Sequence, residues 1–414
     1  MVYDTNGWHF ELQMMNLDST PVLRLRVSQN AESILRSGHP WLFSDSVREQ
    51  NRAGQTGDLA VIYDRKDRFL GIGLFDPEGP IRVRMLHVGK PQKLDRAWWQ
   101  QHLAATLDRR SGLFDSQTNG YRLCNGENDG WPGLVLDRYD STLILKIYTT
   151  AWIPRLGEIV DIIGEQVPCE RIILRMSRNI QDKSSPYTEG QIIRGKPLLE
   201  PVIFLESGLH FEVDVVRGQK TGFFLDQREN RRIVESLSQG RHILNTFSFS
   251  GGFSLYAARG GAVSVTDLDI SPHALTAANR NFELNLEDPA ISKCHHETVK
   301  ADAFDWLDSA TPASFDLIIL DPPSLAKRES EREQAIGAYG RLTRSAIKLL
   351  QPGGILVACS CSAHVSTEEF LGSVREAATQ SGRPFKELQT TVHPPDHPAT
   401  YPEAHYLKAI YLSF

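Results

Sequence analysis

The first part of the chain alternates between apolar and polar residues, and this pattern predicts a small β-rich module over residues 22–95. Alternation with a period of two is typical of strands that bury one face. It occurs in VLRLRVS, DLAVIYD and IRVRMLH, at residues 22–28, 58–64 and 81–87. Turn residues separate these segments at 37–40 and 77–80. One short helix is expected at 30–36.

Residues 96–195 predict a mixed α/β segment. Helices are expected at about 95–110 and 153–166, and strands at 133–137, 142–149 and 170–175. A turn-rich run, CNGENDGWPG, precedes the first of these strands. The polar stretch at 177–197 is interpreted as a loop or linker into the next domain.

After residue 198 the pattern changes to strands that alternate with helices. The strands are expected at 242–247, 262–269, 296–302, 315–321 and 354–360. The helices are expected from Gly252 onward and at 272–285, 303–308, 331–350 and 366–380. Such alternation predicts an α/β fold with a parallel sheet and helices on both faces. Ligands bind such sheets at the carboxyl ends of the strands.

Charge is distributed unevenly along the chain. The net charge is −6, yet residues 21–110 hold 15 basic and 10 acidic residues. A basic module on an acidic body suits a polyanion-binding appendage, and an ordinary solvated surface explains it equally well. Strand alternation places four arginines on the non-core face, where they are candidates for phosphate contacts. These arginines are Arg24, Arg26, Arg82 and Arg84.

Composition excludes several classes of protein. Hydrophobic residues make up 41% of the chain and charged residues 23%, which is ordinary globular composition. No segment approaches the ~18 uninterrupted apolar residues of a membrane span, and the first residues lack the basic and apolar regions of a secretory signal. Five cysteines, an odd number, do not form a disulfide framework, and their spacing offers no zinc site. We therefore expect a reduced, cytoplasmic protein without a metal.

Candidate ligand-binding residues follow the first three strands of the parallel sheet. Ser250 and Gly251 lie in the turn after the first strand, where a ligand can approach backbone amides, although a plain tight turn is an equal explanation. Asp269 ends the second strand, at a position where a carboxylate often binds ribose hydroxyls. Asp267, on the same side of that strand, is an alternative. Asp302 follows the third strand, where a carboxylate can reach an adenine amino group.

The fourth strand ends in an uncommon sequence. FDLIIL is an unbroken apolar run, which indicates burial on both faces. It is followed by Asp321, Pro322, Pro323 and Ser324. The prolines cannot continue the ladder of hydrogen bonds, so they make the loop rigid. A rigid polar loop at this edge of the sheet suits recognition of a planar base.

Two cysteines follow on the fifth strand. Strand periodicity places Cys359 and Cys361 on one side, with Cys361 closer to the expected ligand crevice. Cysteine is most often a small core residue, and this role is assigned to Cys359. Cys361 stands at the end of the strand, opposite Asp321, and is a candidate thiolate nucleophile.

Together these motifs resemble a known family. The second half is similar to class I S-adenosylmethionine-dependent methyltransferases. From residue 22 onward the chain resembles the ribosomal RNA large subunit methyltransferase I family, which makes 5-methylcytosine in 23S rRNA. The matching runs are HPWLFSDSV, GENDGWPGLVLDRY, TGFFLDQRENR, FSFSGGFS, DLDISPHAL, FDLIILDPPS, ACSCS and DHPATYPEAHYLK. Their order and spacing are more specific than any one of them.

The resemblance implies a PUA RNA-binding β-barrel over 22–95, a central α/β domain over 96–195 and a Rossmann-like methyltransferase domain over 196–414. It implies S-adenosyl-L-methionine as methyl donor and RNA as partner, with a homodimer as a default expectation. The residues implied to contact the donor are Phe224, Asp226, Gln227, Arg228, Ser250, Gly251, Asp269, Asp302 and Asp321. Those implied for the RNA base are Pro322, Pro323 and Ser324, with Cys361 as the nucleophile.

The implied chemistry explains the residue types. C5 of cytosine is a weak nucleophile, and thiolate addition at C6 makes it enamine-like so that it accepts a methyl group. Asp321 can bind the base edge and stabilise charge at N3. The sequence does not name the base that removes the C5 proton. Many RNA 5-methylcytosine enzymes carry a second cysteine after the fourth-strand proline, whereas Ser324 follows Pro323 here.

Other hypotheses remain open at this point. An RNA methyltransferase that modifies another position, such as guanine N7, shares this architecture. An RNA-binding protein with a PUA domain and a degenerate site predicts no binding of the methyl donor. A Rossmann dehydrogenase explains the ribose carboxylate but neither the Asp-Pro-Pro-Ser run nor the two cysteines of the fifth strand.

Overall fold

The computed structural model describes residues 22–181 and 185–414. The chain divides into two compact units. One comprises the described residues of 22–109, 124–136 and 145–195; the other comprises 110–123, 137–144 and 196–414. The expectation that the first residues of the chain are not a secretory signal concerns residues outside the described ranges. The domain boundaries near residues 95 and 195 stay a prediction.

A six-stranded sheet with one helix forms the first part of the chain. Its strands are β1 (Leu23–Val27), β2 (Trp41–Phe43), β3 (Val47–Gln50), β4 (Leu59–Tyr63), β5 (Phe69–Phe75) and β6 (Ile81–Val88), in the order β2-β6-β5-β4-β1-β3. Helix α1 (Gln29–Arg36) follows β1. The predicted strands β1, β4 and β6 and helix α1 are confirmed. The other three strands were not predicted, because β2 and β3 are short and β5 is buried along nearly its whole length.

Burial along β1 follows the predicted alternation. Leu23, Leu25 and Val27 are buried in the core of the first sheet, whereas Arg24 and Arg26 are partly exposed. The pattern therefore assigned the core face of this strand correctly, because side chains in a strand point to opposite sides in turn.

A second sheet follows. Its elements are α2 (Arg96–Asp108), β7 (Gly120–Asn125), β8 (Leu134–Tyr139), β9 (Thr142–Ile147), α3 (Leu156–Gln166), β10 (Arg171–Met176), α4 (Arg178–Gln181) and β11 (Ile192–Gly195), with strand order β11-β10-β9-β8-β7. The prediction of a loop over 177–197 was wrong in part, because α4 and β11 lie within it and β11 pairs antiparallel with β10. Both elements are only four residues long, which is too short to show a periodicity.

The third part of the chain begins with a hairpin and continues as a seven-stranded sheet. The hairpin strands are β12 (Val202–Glu206) and β13 (Leu209–Val213). The sheet strands are β14 (His242–Thr246), β15 (Ser264–Asp269), β16 (His295–Lys300), β17 (Phe315–Leu320), β18 (Leu350–Ser360), β19 (Lys386–Thr391) and β20 (Lys408–Ser413). The helices are α5 (Arg228–Ser236), α6 (Gly252–Arg259), α7 (Pro272–Glu283), α8 (Pro289–Lys293), α9 (Ala303–Ser309), α10 (Arg332–Leu349) and α11 (Thr367–Gln380).

The sheet order is β16-β15-β14-β17-β18-β20-β19. Strands β14 to β18 are parallel, as predicted. Strand β20 runs antiparallel between β18 and β19, and neither it nor β19 was predicted. Strand β19 is exposed along almost its whole length, so it shows no apolar pattern.

Apolar side chains cover both faces of this sheet. Leu244, Ile318 and Leu356 belong to a core with residues of α10 and α11. Their strand neighbours, such as Ile243 and Ile319, belong to a separate core with residues of α5 and α6. With both faces filled, the carboxyl ends of the parallel strands are the place left for a ligand. Within the described ranges, no helix is long and apolar enough to cross a membrane.

Candidate functional site

The carboxyl ends of β17 and β18 bring together the two motifs predicted to carry the chemistry. These strands are neighbours in the sheet and run in parallel. Asp321 directly follows β17, and Cys361 directly follows β18. The thiol of Cys361 donates to the carbonyl oxygen of Pro322 at 3.8 Å. The cysteine therefore lies against the rigid Asp-Pro-Pro-Ser loop.

Hydroxyl groups tie the two strand ends to each other. The hydroxyl of Ser362 lies 3.2 Å from that of Ser324 and 2.9 Å from that of Tyr339. Ser362 Oγ also accepts from the backbone amide of Leu325 at 3.1 Å. Ser360 donates to the Tyr339 hydroxyl at 2.8 Å. Ser324 thus helps to hold the two loops in place.

A chain of hydrogen bonds orients Asp321. Gln227 Nε2 donates to Asp321 Oδ1 at 2.9 Å. Asn230 Nδ2 donates to the Gln227 amide oxygen, and the Asn230 oxygen accepts from the hydroxyls of Thr391 (2.6 Å) and Tyr411 (3.0 Å). Because hydroxyl donors face the Asn230 oxygen, the Asn230 nitrogen points to the Gln227 oxygen. The Gln227 nitrogen in turn points to Asp321. Gln227, predicted to contact the methyl donor, therefore also orients Asp321.

Asp321 has an unusual proton affinity. Desolvation, and then the nearby Asp226 carboxylate, raise the pKa of Asp321 to about 7, although Lys220, Arg231 and the Gln227 hydrogen bond act in the opposite direction. Both protonation states are therefore accessible near neutrality. Since Oδ1 accepts from Gln227, the proton of the neutral form belongs on Oδ2.

A lysine and a tyrosine that sequence reasoning missed both bind the carboxylate of Asp226. Lys220 Nζ donates to Asp226 Oδ2 at 2.8 Å, and the Tyr406 hydroxyl donates to the same oxygen at 2.9 Å. The ammonium also lies 4.5 Å from the centre of the Phe224 ring. Desolvation opposes ionisation of Asp226, but the charge of Lys220 outweighs it and holds the pKa of Asp226 well below its usual value. Tyr406 belongs to one of the runs that carried the family resemblance, and Lys220 directly precedes another such run. These positions were the only signal by which the sequence could have singled out the two residues.

The turn that carries Lys220 is anchored by buried polar groups. Lys220 has a φ of +53°, an uncommon backbone conformation for a residue with a side chain. Its neighbour Thr221 donates to Asp137 Oδ2 at 2.6 Å and lies 3.0 Å from the hydroxyl of Tyr139. The Tyr139 hydroxyl also accepts from the Phe223 amide at 3.2 Å. Strained backbone of this kind persists where the surroundings hold it, often at functional sites.

The loop after β14 has the shape of a ligand cradle. Phe247, Phe249 and Gly251 have φ values of +56°, +48° and +72°, so left-handed residues alternate along the loop. Such alternation makes concave turns that present backbone amides. The hydroxyls of Ser248 and Ser250 are buried and have no hydrogen-bond partner within the described part of the chain. Buried hydroxyls without a partner mark positions that a bound ligand can satisfy.

The acidic residues of the first three strands have different surroundings. Asp267 is fully buried and binds Asn245 (3.0 Å) and His296 (2.8 Å), so it has a structural role. Asp269 is partly exposed and accepts from the amides of Phe249 and Ser271. Asp302 is exposed and caps the first turn of α9 through the amide of Phe304, at 2.9 Å.

The apolar residue next to Asp269 is also exposed. Ile270 is 65% exposed, although it follows a strand of the buried sheet. An exposed apolar side chain beside a carboxylate suits a ligand with a polar ribose and a flat apolar face. Sequence reasoning did not single out Ile270.

Arg228 has its guanidinium in the interior. Its side chain is 2% exposed and pairs with Asp396, with Nη2 2.8 Å from Oδ1. The guanidinium also lies 4.4 Å from the centre of the Phe114 ring. These contacts give Arg228 a structural role next to Gln227. The ion pair also holds the loop between β19 and β20, which contains Asp396.

The basic face predicted for the first sheet carries its own counter-charges. Its four arginines stay partly exposed: Arg24, Arg26, Arg82 and Arg84. Arg26 lies 2.5 Å from Asp67, and Arg84 lies 2.7 Å from Glu127. Arg82 donates to the backbone carbonyl of Asp76 at 3.1 Å. At least two of the positive charges are therefore balanced within the fold.

Family models match most of the chain. Residues 174–413 match the S-adenosylmethionine-dependent methyltransferase model, and residues 25–87 match a PUA-like domain. The crystal structure of SMU.776 in complex with SAH aligns with a TM-score of 0.80 at 23% identity over 94% of this chain and 100% of that one. At that identity the match shows the fold.

Sequence relatives narrow the family. A ribosomal RNA large subunit methyltransferase of Deinococcus radiodurans is 55% identical over 95% of this chain and 98% of that protein. A ribosomal RNA large subunit methyltransferase I of Shewanella denitrificans is 33% identical over 94% and 98%, respectively. These relatives show that the chain belongs to the ribosomal RNA large subunit methyltransferases, an S-adenosylmethionine-dependent family with a PUA-like domain.

Proposed function

We propose that this protein transfers the methyl group of S-adenosylmethionine to C5 of a cytosine in 23S ribosomal RNA. The observation that carries the proposal is the thiol of Cys361 against the Pro322 carbonyl, beside a carboxyl group with a pKa of about 7. Methylation of a base nitrogen needs no thiol, whereas methylation at C5 of cytosine does. The substrate named for the relatives supports ribosomal RNA, and a cytoplasmic location follows from it.

The residues around the β14 loop fit the methyl donor. The buried hydroxyls of Ser248 and Ser250 and the Oδ1 atom of Asp226 have no partner within the described ranges. They suit the ammonium and carboxylate groups of the donor's amino-acid end. Asp269, which is partly exposed, would bind the ribose hydroxyls, and the exposed Ile270 and Asp302 would contact the adenine. When bound, the donor supplies an electrophilic methyl group.

Gly251 offers a sharp test of this cradle. Its φ is +72°, and a Cβ there would lie 2.9 Å from Ala278 Cβ. We expect Gly251→Ala to weaken donor binding at least about tenfold, because about 1.4 kcal/mol of distortion is enough for that loss. Isothermal titration with S-adenosylhomocysteine measures the effect.

Gly240→Ala is the matched control for this variant. Gly240 has nearly the same φ, +71°, but no atom lies within 4 Å of the place that a Cβ would occupy. Both variants carry the backbone strain of a left-handed alanine, about 1 kcal/mol. Only Gly251→Ala also crowds its surroundings, so equal donor affinity in the two variants would count against the cradle.

The proposed reaction begins with addition of the Cys361 thiolate to C6 of the cytosine. The new S–C6 bond moves electron density to C5, which would then form a bond to the methyl group as the bond between that methyl group and the donor sulfur breaks. A base removes the proton from C5, the S–C6 bond breaks, and the thiolate and the C5–C6 double bond are restored. The products are 5-methylcytosine, S-adenosylhomocysteine and one proton.

Asp321 is placed to assist the addition. Its neutral form carries the proton on Oδ2, and a donor there can stabilise the charge that develops at N3 of the base. Pro322, Pro323 and Ser324 would form the rigid wall against which the base lies. Arg24, Arg26, Arg82 and Arg84 are proposed contacts to RNA phosphates, with Arg26 and Arg84 exchanging carboxylate partners for phosphates on binding.

The position of the methyl group decides between this function and its alternatives. We expect unmodified 23S rRNA, incubated with the protein and labelled donor, to yield 5-methylcytosine when its nucleosides are identified by mass spectrometry. 7-Methylguanine or another methylated base would refute methylation at C5 but retain the family. Absence of label together with absence of donor binding would indicate a degenerate site.

A further inference from the structure

We propose that Lys408 is a positioning residue whose buried ammonium holds the loop of Cys361 and acts as the counter-ion of its thiolate. This inference deepens the proposed function, because it assigns a reason for the reactivity of the proposed nucleophile. Lys408 ends one of the runs that carried the family resemblance, but sequence reasoning assigned it no role.

The ammonium of Lys408 lies directly beneath the cysteine loop. Lys408 is 1% exposed and begins β20, where it pairs with Ser360 of β18. Its Nζ donates to the carbonyl oxygen of Ser362 at 2.6 Å and to that of Val365. Cys361 immediately precedes the first of these carbonyls. The lysine therefore links the end of the chain to the turn that presents the thiol.

The two carbonyls satisfy the hydrogen bonds of Lys408 but not its charge. Within the described residues, no carboxylate forms an ion pair with it. Glu369 acts on it from farther away, but its carboxylate already binds Arg332 (2.6 Å) and the Ser366 amide (2.9 Å). Burial of an unpaired cation is costly, and desolvation lowers the pKa of Lys408 to about 8. A nearby anion therefore gains stabilisation there.

The thiolate of Cys361 is that anion. Desolvation raises the pKa of Cys361 to about 11. Lys220 lowers this pKa, Asp321 and Asp226 raise it further, and Lys408 lowers it by a smaller amount than Lys220 does. The charge of Lys220 is offset by Asp226, to which it donates at 2.8 Å. Lys408 has no such carboxylate among the described residues, so its charge remains available for the thiolate.

Alkylation of Cys361 tests this without RNA or methyl transfer. Rates with iodoacetamide are measured from pH 6 to pH 10 and read for each cysteine peptide by mass spectrometry. Cys294 serves as an internal reference, because desolvation alone raises its pKa to about 11. We expect Lys408→Met to lower the Cys361 rate relative to Cys294 about tenfold at pH 7, equivalent to a shift of one pKa unit. Lys408→Arg should retain most of the rate.

Lys386→Met is the control for loss of one positive charge, since Lys386 is exposed on β19 of the same sheet. This variant should leave the ratio of the Cys361 and Cys294 alkylation rates unchanged. A Lys408→Met protein that melts normally and has an unchanged ratio of Cys361 to Cys294 alkylation rates at pH 7 would overturn the proposal.

A reciprocal measurement covers the case in which Lys408→Met does not fold. In protein labelled with carbon-13 lysine, one lysine should titrate near pH 8. Cys361 is still a neutral thiol at that pH, so Cys361→Asp is used to place an anion at the same position, and the midpoint should then move to higher pH. An unchanged midpoint would refute the counter-ion role. If both coupling tests succeed but methyl transfer does not need Cys361, the nucleophile assignment fails alone.

Discussion

Cys361→Ala should abolish methyl transfer to RNA while donor binding persists. Removal of a covalent nucleophile typically lowers turnover by a factor on the order of 10⁴ or more. The proposed donor cradle around Ser250 and Gly251 belongs to the loop after β14, at a different strand end. Radiolabel incorporation into 23S rRNA measures the loss, and titration with S-adenosylhomocysteine measures the retained binding.

Cys359→Ala is the matched control, because this cysteine lies two residues away on the same strand. Cys359 is 1% exposed and packs in the core with Ile319 and Val357. Its removal should cost about 1 kcal/mol of stability through lost packing and leave turnover largely intact. Full activity of Cys361→Ala, or equal loss in both variants, would refute the assignment of Cys361 as nucleophile.

Asp396→Asn should be among the most destabilising single changes in the methyltransferase part of the chain. The Arg228–Asp396 pair is almost completely buried, with side chains 2% and 0% exposed. The second Asp396 oxygen accepts from the Arg122 amide at 3.0 Å. Loss of the carboxylate removes the buried partner of Arg228 and leaves its guanidinium with only the partly exposed Glu229, 3.0 Å away, at a cost of about 3 kcal/mol. Urea denaturation at pH 7 measures the difference in unfolding free energy between the variant and the unsubstituted protein.

Glu387→Gln provides the comparison with an exposed pair. Arg375 and Glu387 form a pair at 2.9 Å, with side chains 45% and 35% exposed. Solvent screens such a pair, so its loss should cost less than about 1 kcal/mol. Comparable losses in the two variants would contradict the importance of burial for the Arg228–Asp396 pair.

The effect of Asp396→Asn should depend on pH in one direction. Desolvation raises the pKa of Asp396, but His397 and Arg228 outweigh it and hold that pKa far below the ordinary 3.8. A depressed carboxyl pKa stabilises the folded state above the unfolded pKa, and the stabilisation fades as the pH falls below it. The difference in unfolding free energy between the unsubstituted protein and Asp396→Asn should therefore be largest at pH 7 and begin to shrink below about pH 4.

Local patterns account for much of the architecture. Strands β14 to β18 and helices α6, α7, α9, α10 and α11 were predicted because each carries its own apolar run or helical periodicity. Strand β19 is exposed and β11 is four residues long, so neither carries a signal of its own. Their place in a sheet depends on a partner strand that is already there.

The same contrast applies to the site. The positions of Asp321 and Cys361 follow from the sequence alone, because residues that end neighbouring parallel strands meet at one edge of the sheet. Lys220, Tyr406 and Lys408 come from a turn, a loop and an antiparallel strand, and no local pattern places these elements beside that edge. Only tertiary packing brings them there, and with them the burial and charge that set the proton affinities of Asp321 and Cys361.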